Sequence, residues 1–311
     1  MRESALQAFP RAILKVMFAK AIVPMAGLGT RLYPASAVIP KGLMPFVAAD
    51  GVLKTGLQLI AETLLAAGVR QIGVVVSPET RALYETFLEG GGDAYAIARA
   101  QRPALQALYT SLQQLRCYIT LIEQPKPLGL GHAVWCAAAF AQGEPVIVVL
   151  GDHLWLPLGD PSAIVAIIEL GKRYRVPVYG VHRVPIDKVS SYGILQGEPT
   201  ETPRLYRLRQ IYEKPTPEYA CAHLRTDGLA PNEFLAHNGT YAFPPALWET
   251  LEQIAAQHRP EAGEWTLTAV QQQLLSQQPA YLYEADCTVL DFGTAEGYRH
   301  AFCAIASWKD V

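Results

Sequence analysis

The strongest constraint on this chain is a series of short β-rich runs that are apolar on both faces. KAIVPMAG (Lys20–Gly27), QIGVVVS (Gln71–Ser77), CYITLIE (Cys117–Glu123), PVIVVLGD (Pro145–Asp152) and VPVYGVHRV (Val176–Val184) all read as buried strands. Helical spacing fills the gaps at Val52–Ala67 (closed by Gly68), Pro78–Leu88, Gly131–Gln142 and Pro161–Tyr174. Strands without a polar face must be covered on both sides, and helices interleaved with them do this. The pattern therefore predicts an α/β fold with a mostly parallel sheet flanked by helices.

The second half has a different texture. Tyr192–Gln196, Leu205–Glu213 and Asn238–Phe243 read as strands between turn-rich loops, followed by helices at Ala246–Ala256, Thr266–Leu275 and Thr294–Ser307. Gly90–Gly92 opens a helical stretch, Ala94–Leu115, read as an insertion between two strands. The expected organisation is an N-terminal extension at 1–19 and a single domain at 20–311. Within it a first α/β half covers about 20–175, a smaller β-rich half about 176–290, and a last helix about 294–307.

Composition narrows the function. The 311 residues are 50% apolar, which supports a sizeable core, and the net charge of −2 argues against a general nucleic-acid binder. It leaves open a small anionic ligand gripped by local cations. Cys117, Cys136, Cys221, Cys287 and Cys303 form no C-x-x-C pair, which argues against a disulfide framework and a Cys-based zinc site. A reducing cytoplasm is expected. No apolar run reaches the ~20 residues of a membrane helix. Pro10, Arg11, Lys15 and Lys20 interrupt the apolar N-terminus, which reads as an extension packing on the domain, not as a signal.

Five motifs carry chemistry. The first strand ends in A-G-L-G-T-R: Ala26, Gly27, Leu28, Gly29, Thr30, Arg31. Its glycines let backbone N–H groups approach phosphate oxygens, and Arg31 adds a planar fork suited to phosphate. Lys41, in I-P-K-G-L-M-P, adds a point charge. A dinucleotide fingerprint would need glycine where Leu32 stands, and no Walker sequence is present. An ordinary glycine-rich turn remains the alternative. Q-P-K-P-L-G-L-G-H-A (Gln124–Ala133) joins the third strand to a helix. Gln124 carries both a donor and an acceptor, as reading a base edge requires. His132 reads as a structural histidine at the helix start. Asp152 ends the fourth strand, and Asp291, in V-L-D-F-G-T, follows another strand-like run; two such carboxylates suit Mg²⁺. Each alone also reads as a cap or turn residue. Glu213 and Lys214 stand together in I-Y-E-K-P, where a solvated surface pair is the bland reading.

Taken in order, these motifs resemble the sugar-nucleotidyltransferase family, and within it the bacterial UTP–glucose-1-phosphate uridylyltransferases, from about Lys20 to Trp308. The resemblance implies a Rossmann-like, nucleotide-diphospho-sugar transferase type of fold and a Mg²⁺-dependent reaction of UTP with glucose 1-phosphate to UDP-glucose. It implies that Ala26, Gly27, Gly29, Thr30 and Arg31 hold nucleotide and triphosphate, that Lys41 contacts phosphate, and that Gln124 and Gly131 face the uracil. Asp152 and Asp291 would hold the metal. Gly193, Glu213, Asn238 and Gly239 would lie by the sugar, and Lys214 by its phosphate. Arg31, Lys41, Asp152 and Lys214 would carry catalysis. A homo-oligomer is also implied, with no nucleic-acid or membrane partner. Thymidylyl transfer and a non-catalytic sugar-nucleotide-binding subunit are the alternatives. Four positions depart from the uridylyl pattern: Gly42 stands for Glu, Gly151 for Pro, Ala269 for Asp, and L-D-F-G-T for H-D-C-G-N. They bear on base and sugar preference.

Overall fold

The computed structural model describes residues 18–48, 50–257 and 263–308, so nearly all of the expected extension at 1–19 lies outside the described residues. The chain opens with β1 (Lys20–Pro24), a hairpin of β2 (Pro45–Val47) and β3 (Leu53–Thr55), α1 (Gly56–Ala66), β4 (Gln71–Val76) and α2 (Pro78–Leu88). It continues through α3 (Asp93–Gln101), α4 (Pro103–Arg116), β5 (Ile119–Glu123), α5 (Leu130–Cys136), α6 (Ala138–Ala141), β6 (Val146–Val149), β7 (His153–Leu156) and α7 (Ser162–Tyr174). The remainder is β8 (Val178–Pro185), β9 (Gly193–Pro199), β10 (Leu205–Glu213), α8 (Pro217–His223), β11 (Glu233–Phe243), α9 (Ala246–Gln257), α10 (Leu267–Gln277), β12 (Tyr281–Glu284), β13 (Thr288–Asp291) and α11 (Ala295–Ser307).

One nine-stranded sheet runs in the order β5-β4-β1-β6-β11-β8-β12-β10-β9. Its strands all point the same way except β10 and β11. The apolar runs are explained by two cores, one on each face. Ala21 and Val23 of β1 join the cluster under α1 and α7, while Ile22 between them joins the cluster under α5 and α10. Alternate side chains thus go to opposite covered faces, so apolar residues fill the strand after Lys20.

In the second half the sheet folds back on itself, because β9 also pairs with β11. β11 shares one edge between two neighbours: Leu235 and Ala236 pair with β9, whereas Thr240–Phe243 pair with β6. Between them the register on β8 slips, with His237 opposite Val181 but Tyr241 opposite Tyr179. This bulge lies at the fork between β6 and β9.

Several boundaries differ from the sequence reading. Val52–Ala67 is not helical throughout: Leu53–Thr55 pairs with Pro45–Val47, and the Thr55 hydroxyl accepts from Gln58 N at 3.2 Å, so the helix starts at Gly56. Ala94–Leu115 breaks at Arg102, whose extended backbone is what a following proline demands. Gly131–Gln142 is two short helices meeting at Ala137. β12, an interior strand, and β7 carried too little periodicity to be marked as strands, whereas β13 is the strand-like run that leads to Asp291.

Lys20 is a buried cation at the start of β1. Its Nζ donates to the last carbonyls of α6, Phe140 O (3.0 Å) and Ala141 O (3.1 Å), with Glu144 at 3.5 Å. A cation there complements the helix end. Lys20→Met should leave those carbonyls without their charged donor and cost about 1.5–3 kcal/mol, read as a lower urea midpoint with unchanged slope.

Candidate active site

A cavity of about 490 Å³ opens beyond the carboxyl ends of β1, β5 and β6, where open α/β sheets bind ligands. Ten residues singled out from the sequence line it: Ala26, Gly27, Arg31, Lys41, Gln124, Asp152, Gly193, Glu213, Lys214 and Asp291.

Asp152 is the electrostatic centre. Lys41 Nζ lies 2.8 Å from its Oδ2, and His153 Nδ1 lies 3.0 Å from its Oδ1. Burial works to raise its pKa, but the Lys41 charge and the His153 hydrogen bond outweigh burial and hold the carboxyl well below its ordinary range. For His153 burial acts to lower the pKa; the hydrogen bond and charge of Asp152, helped by Asp291, raise it instead. Asp291 sits directly opposite His153 in the β7–β13 ladder, so the pairing sets the two carboxylates side by side. Donor atoms of Asp152, His153 and Asp291 all fall within 4.8 Å of one another. Gly293 makes this approach feasible. A Cβ there would stand 2.7 Å from Asp152 Oδ2, 3.1 Å from Asp291 Oδ1 and 3.2 Å from an Arg31 guanidinium nitrogen. Three charged groups therefore converge on one α-carbon.

Gln124, buried just after β5, spends its amide hydrogens locally. Nε2 donates to Gly129 O (3.0 Å) and lies 2.9 Å from His132 Nδ1. His132 is thereby the orienting partner of Gln124, as expected of a structural histidine. What Gln124 offers a ligand is its carbonyl oxygen, an acceptor.

On the other side of the cavity Glu213 ends β10 opposite Gly193 of β9. Thr268 donates to Glu213 Oε2 at 2.6 Å. Lys214 follows with φ of 47°, its Nζ largely exposed and 3.8 Å from Glu213.

Five expected residues do not line the cavity. Gly29 is left-handed (φ 65°) and starts a short 3₁₀ turn, Thr30–Leu32, in which Thr30 is exposed. Gly131 donates its N–H to Trp265 O at 2.8 Å and packs so closely that a Cβ would stand 2.5 Å from Trp265 Cδ1. Asn238 is fully buried; its Oδ1 accepts from Thr240 N at 3.0 Å and its carbonyl accepts from Trp155. Gly239, at φ of 86°, lies against the His153 ring. These two residues build the β11 bulge, and it is their neighbour His237 that reaches the cavity. The sequence reading missed His237, Thr268, Gln271 and the role of His153. The only signals were His153 standing next to Asp152, His237 standing next to the chosen Asn238, and Thr268 and Gln271 standing three apart on a predicted helix.

Two positions that depart from the uridylyl pattern, Gly42 and Gly151, lie against the same residue. Met25, buried between them, would lie with Sδ 2.3 Å from a Cβ at Gly42 and with Cγ 2.5 Å from a Cβ at Gly151. Pro24 O stands 2.6 Å from the latter as well, and Tyr84 OH 2.7 Å from the former.

The fold and this cavity define a nucleotide-transferring α/β enzyme class. The Nucleotidyl transferase family model matches residues 20–308, and the chain belongs to that family. A UTP–glucose-1-phosphate uridylyltransferase of Bacillus subtilis (strain 168) is 30% identical over 288 residues, 90% of this chain and 88% of that protein. Among solved structures, a UDP-glucose pyrophosphorylase complexed with UDP-glucose superposes with a TM-score of 0.74 at 26% identity, over 93% of this chain and 99% of the other. A UTP-bound UGPase from Acinetobacter baumannii gives the same TM-score and identity over 93% of each chain.

Gly131→Ala tests the close packing just described. Backbone atoms (Thr266 O at 3.0 Å) as well as the indole oppose the new methyl, so the variant should lose about 1–3 kcal/mol of stability, read as a lower melting temperature.

Proposed function

We propose that the chain transfers a uridylyl group from UTP to glucose 1-phosphate, giving UDP-glucose and pyrophosphate. One observation carries this reading: a single cavity is lined by the post-β1 loop with Arg31 and Lys41, by an acceptor-only Gln124, by the Asp152–Asp291 pair, and by Glu213–Lys214. Relatives named for this reaction, matching over nine-tenths of the chain, support it.

A phosphate oxygen of glucose 1-phosphate is already anionic. It attacks the α-phosphorus of UTP; the bond from that phosphorus to the bridging oxygen of the β-phosphate breaks, and pyrophosphate leaves with the electron pair. No protein nucleophile is needed. The obstacle is the approach of two polyanions, so catalysis is positioning plus charge neutralisation. In this reading Arg31 and Lys41 offset triphosphate charge, and Lys214 offsets the charge of the sugar phosphate. Ala26 and Gly27 bring backbone close to the nucleotide. The Gln124 oxygen accepts from the N3–H that uracil and thymine carry, and Glu213 and Gly193 flank the sugar.

The donor set suits Mg²⁺, since Asp152 and Asp291 supply two adjacent carboxylates and hard oxygen ligands are what this ion takes. His153 holds Asp152 in place through Oδ1 and is an orienting partner. When bound, Mg²⁺ supplies charge neutralisation to the triphosphate. The free thiols of the described cysteines are consistent with the cytoplasmic location that belongs to this reading. None of the described helices is long and apolar enough to cross a membrane.

Asp152→Asn should nearly abolish pyrophosphate release while circular dichroism stays native, and EDTA should do the same to the unaltered chain. Full activity in either arm removes the metal pair. The two lysines should separate: Lys214→Ala should raise KM for glucose 1-phosphate about ten- to a hundredfold, and Lys41→Ala should act on UTP instead. Equal effects on both substrates would contradict the assignment.

Base choice follows from Gln124. Uracil and thymine present the same edge and differ by one methyl, worth about 1–3 kcal/mol in an apolar pocket. UTP should be the best substrate, dTTP measurable, and CTP, ATP and GTP lower by at least about a hundredfold. Specificity constants for the five nucleotides at fixed glucose 1-phosphate decide this, and dTTP on top would favour the thymidylyl alternative.

A further inference from the structure

The bulge in β11 turns a histidine into the cavity, and that histidine has no partner of its own. His237 is 8% exposed, lines the cavity, and has no hydrogen-bond partner at either ring nitrogen. Gln271 of α10 also lines the cavity, is 1% exposed, and has an unpartnered Nε2. Gln271 lies near enough to bias the His237 proton upward, although no bond of proper geometry joins them. Buried polar groups in native proteins are nearly always paired, so two orphans facing the same cavity call for a ligand.

Their surroundings say which part of the ligand. A Cβ on Gly193 would stand 3.0 Å from His237 Cδ2 and 3.2 Å from Glu213 Oε2, so imidazole and carboxylate flank the same point. Thr268, which donates to Glu213, is three residues before Gln271 and shares its face of α10. His237 and Gln271 therefore belong to the Glu213 side of the cavity. We propose that His237 and Gln271 together hydrogen-bond one ring hydroxyl of the hexose 1-phosphate, and that sugar discrimination depends on this bond. The assignment rests on the reaction proposed above.

The chemistry of the pair favours a hydroxyl over an anionic substituent. Burial lowers the His237 pKa to about 3, so at neutral pH the ring is uncharged and presents one donor and one acceptor. Gln271 Nε2 adds a donor. A hydroxyl can accept from the amide and donate to the acceptor nitrogen of the imidazole, which pairs the amide and one of the two ring nitrogens. A carboxylate only accepts, so it would leave the ring's acceptor nitrogen unpaired.

A site built to bond a hydroxyl penalises the analogue that lacks it, because its own groups are then left unpaired. The test is kcat/KM for glucose 1-phosphate and its 2-, 3-, 4- and 6-deoxy analogues, with the unaltered enzyme and with His237→Val and Gln271→Leu. The unaltered enzyme should lose roughly a hundredfold or more against one analogue. In both variants that loss should shrink to below about tenfold, with the other three ratios and KM for UTP unchanged. Thermal melts identify a variant that fails to fold, and the other variant then decides. Three results would overturn the assignment alone: the unaltered enzyme penalises no single analogue, a folded variant keeps all four of its ratios, or a folded variant changes all four equally. Absence of any turnover with glucose 1-phosphate would overturn the proposed reaction and this assignment with it.

Discussion

The site depends on keeping one buried carboxylate ionised. Asp152 is 8% exposed, and taking its charge out of water is unfavourable unless opposite charge and donors replace the solvent. Lys41 supplies the charge from a short turn far back in the sequence, and His153 supplies the bond from the next residue. This ties the segment after β1 to the end of β6. The β7–β13 pair then adds Asp291 from near the C-terminus, and Gly293 leaves the room in which Arg31 can join. Residues separated by most of the chain thus form one charged cluster whose members each need the others.

A second constraint is the divided edge of β11. A single strand serves the parallel part of the sheet through β6 and the folded-back part through β9. Hydrogen bonds cannot be shared smoothly between two neighbours diverging from one edge, and the bulge at His237–Tyr241 absorbs the mismatch. Asn238 closes that bulge on itself through Thr240 N, which frees the adjacent side chain to face the cavity. The same irregularity therefore joins the two halves and furnishes the site.

Much of this was legible in the sequence because burial on two faces leaves a plain record. The strands that begin at Lys20, Gln71 and Val146 are apolar throughout after the first residue, and a run of such residues cannot be mistaken for an alternating, half-exposed strand. Charged motif residues that line the cavity, such as Lys41, Asp152, Asp291 and Lys214, were also readable, since each stands at a strand end or turn. Gly131, Asn238 and Gly239 were harder. They do not line the cavity: Gly131 packs on Trp265, and Asn238 and Gly239 form the bulge, contacts that a one-letter sequence does not separate from contacts with a ligand. His237 and Gln271 were illegible because their placement follows from a register slip and a helix face, neither of which has a compositional signature. β12 was missed for a related reason: YLYE is too short and too polar at its ends to announce a central strand.

Met25 has a consequence for how this chain can change. Its side chain occupies the volume that a residue larger than glycine would need at position 42, while position 151 is barred both by Met25 and by the Pro24 carbonyl. Substitutions here are consequently order-dependent. A glutamate at 42 meets the thioether unless residue 25 has first become smaller, and a proline at 151 requires the backbone at Pro24 to shift as well. A library that randomises 42 and 151 alone should return glycine at both; opening 42 needs room at Met25 and at the Tyr84 hydroxyl, and opening 151 needs room at Met25 and a shift of the Pro24 carbonyl. Substitutions at the three positions are therefore coupled through one shared volume.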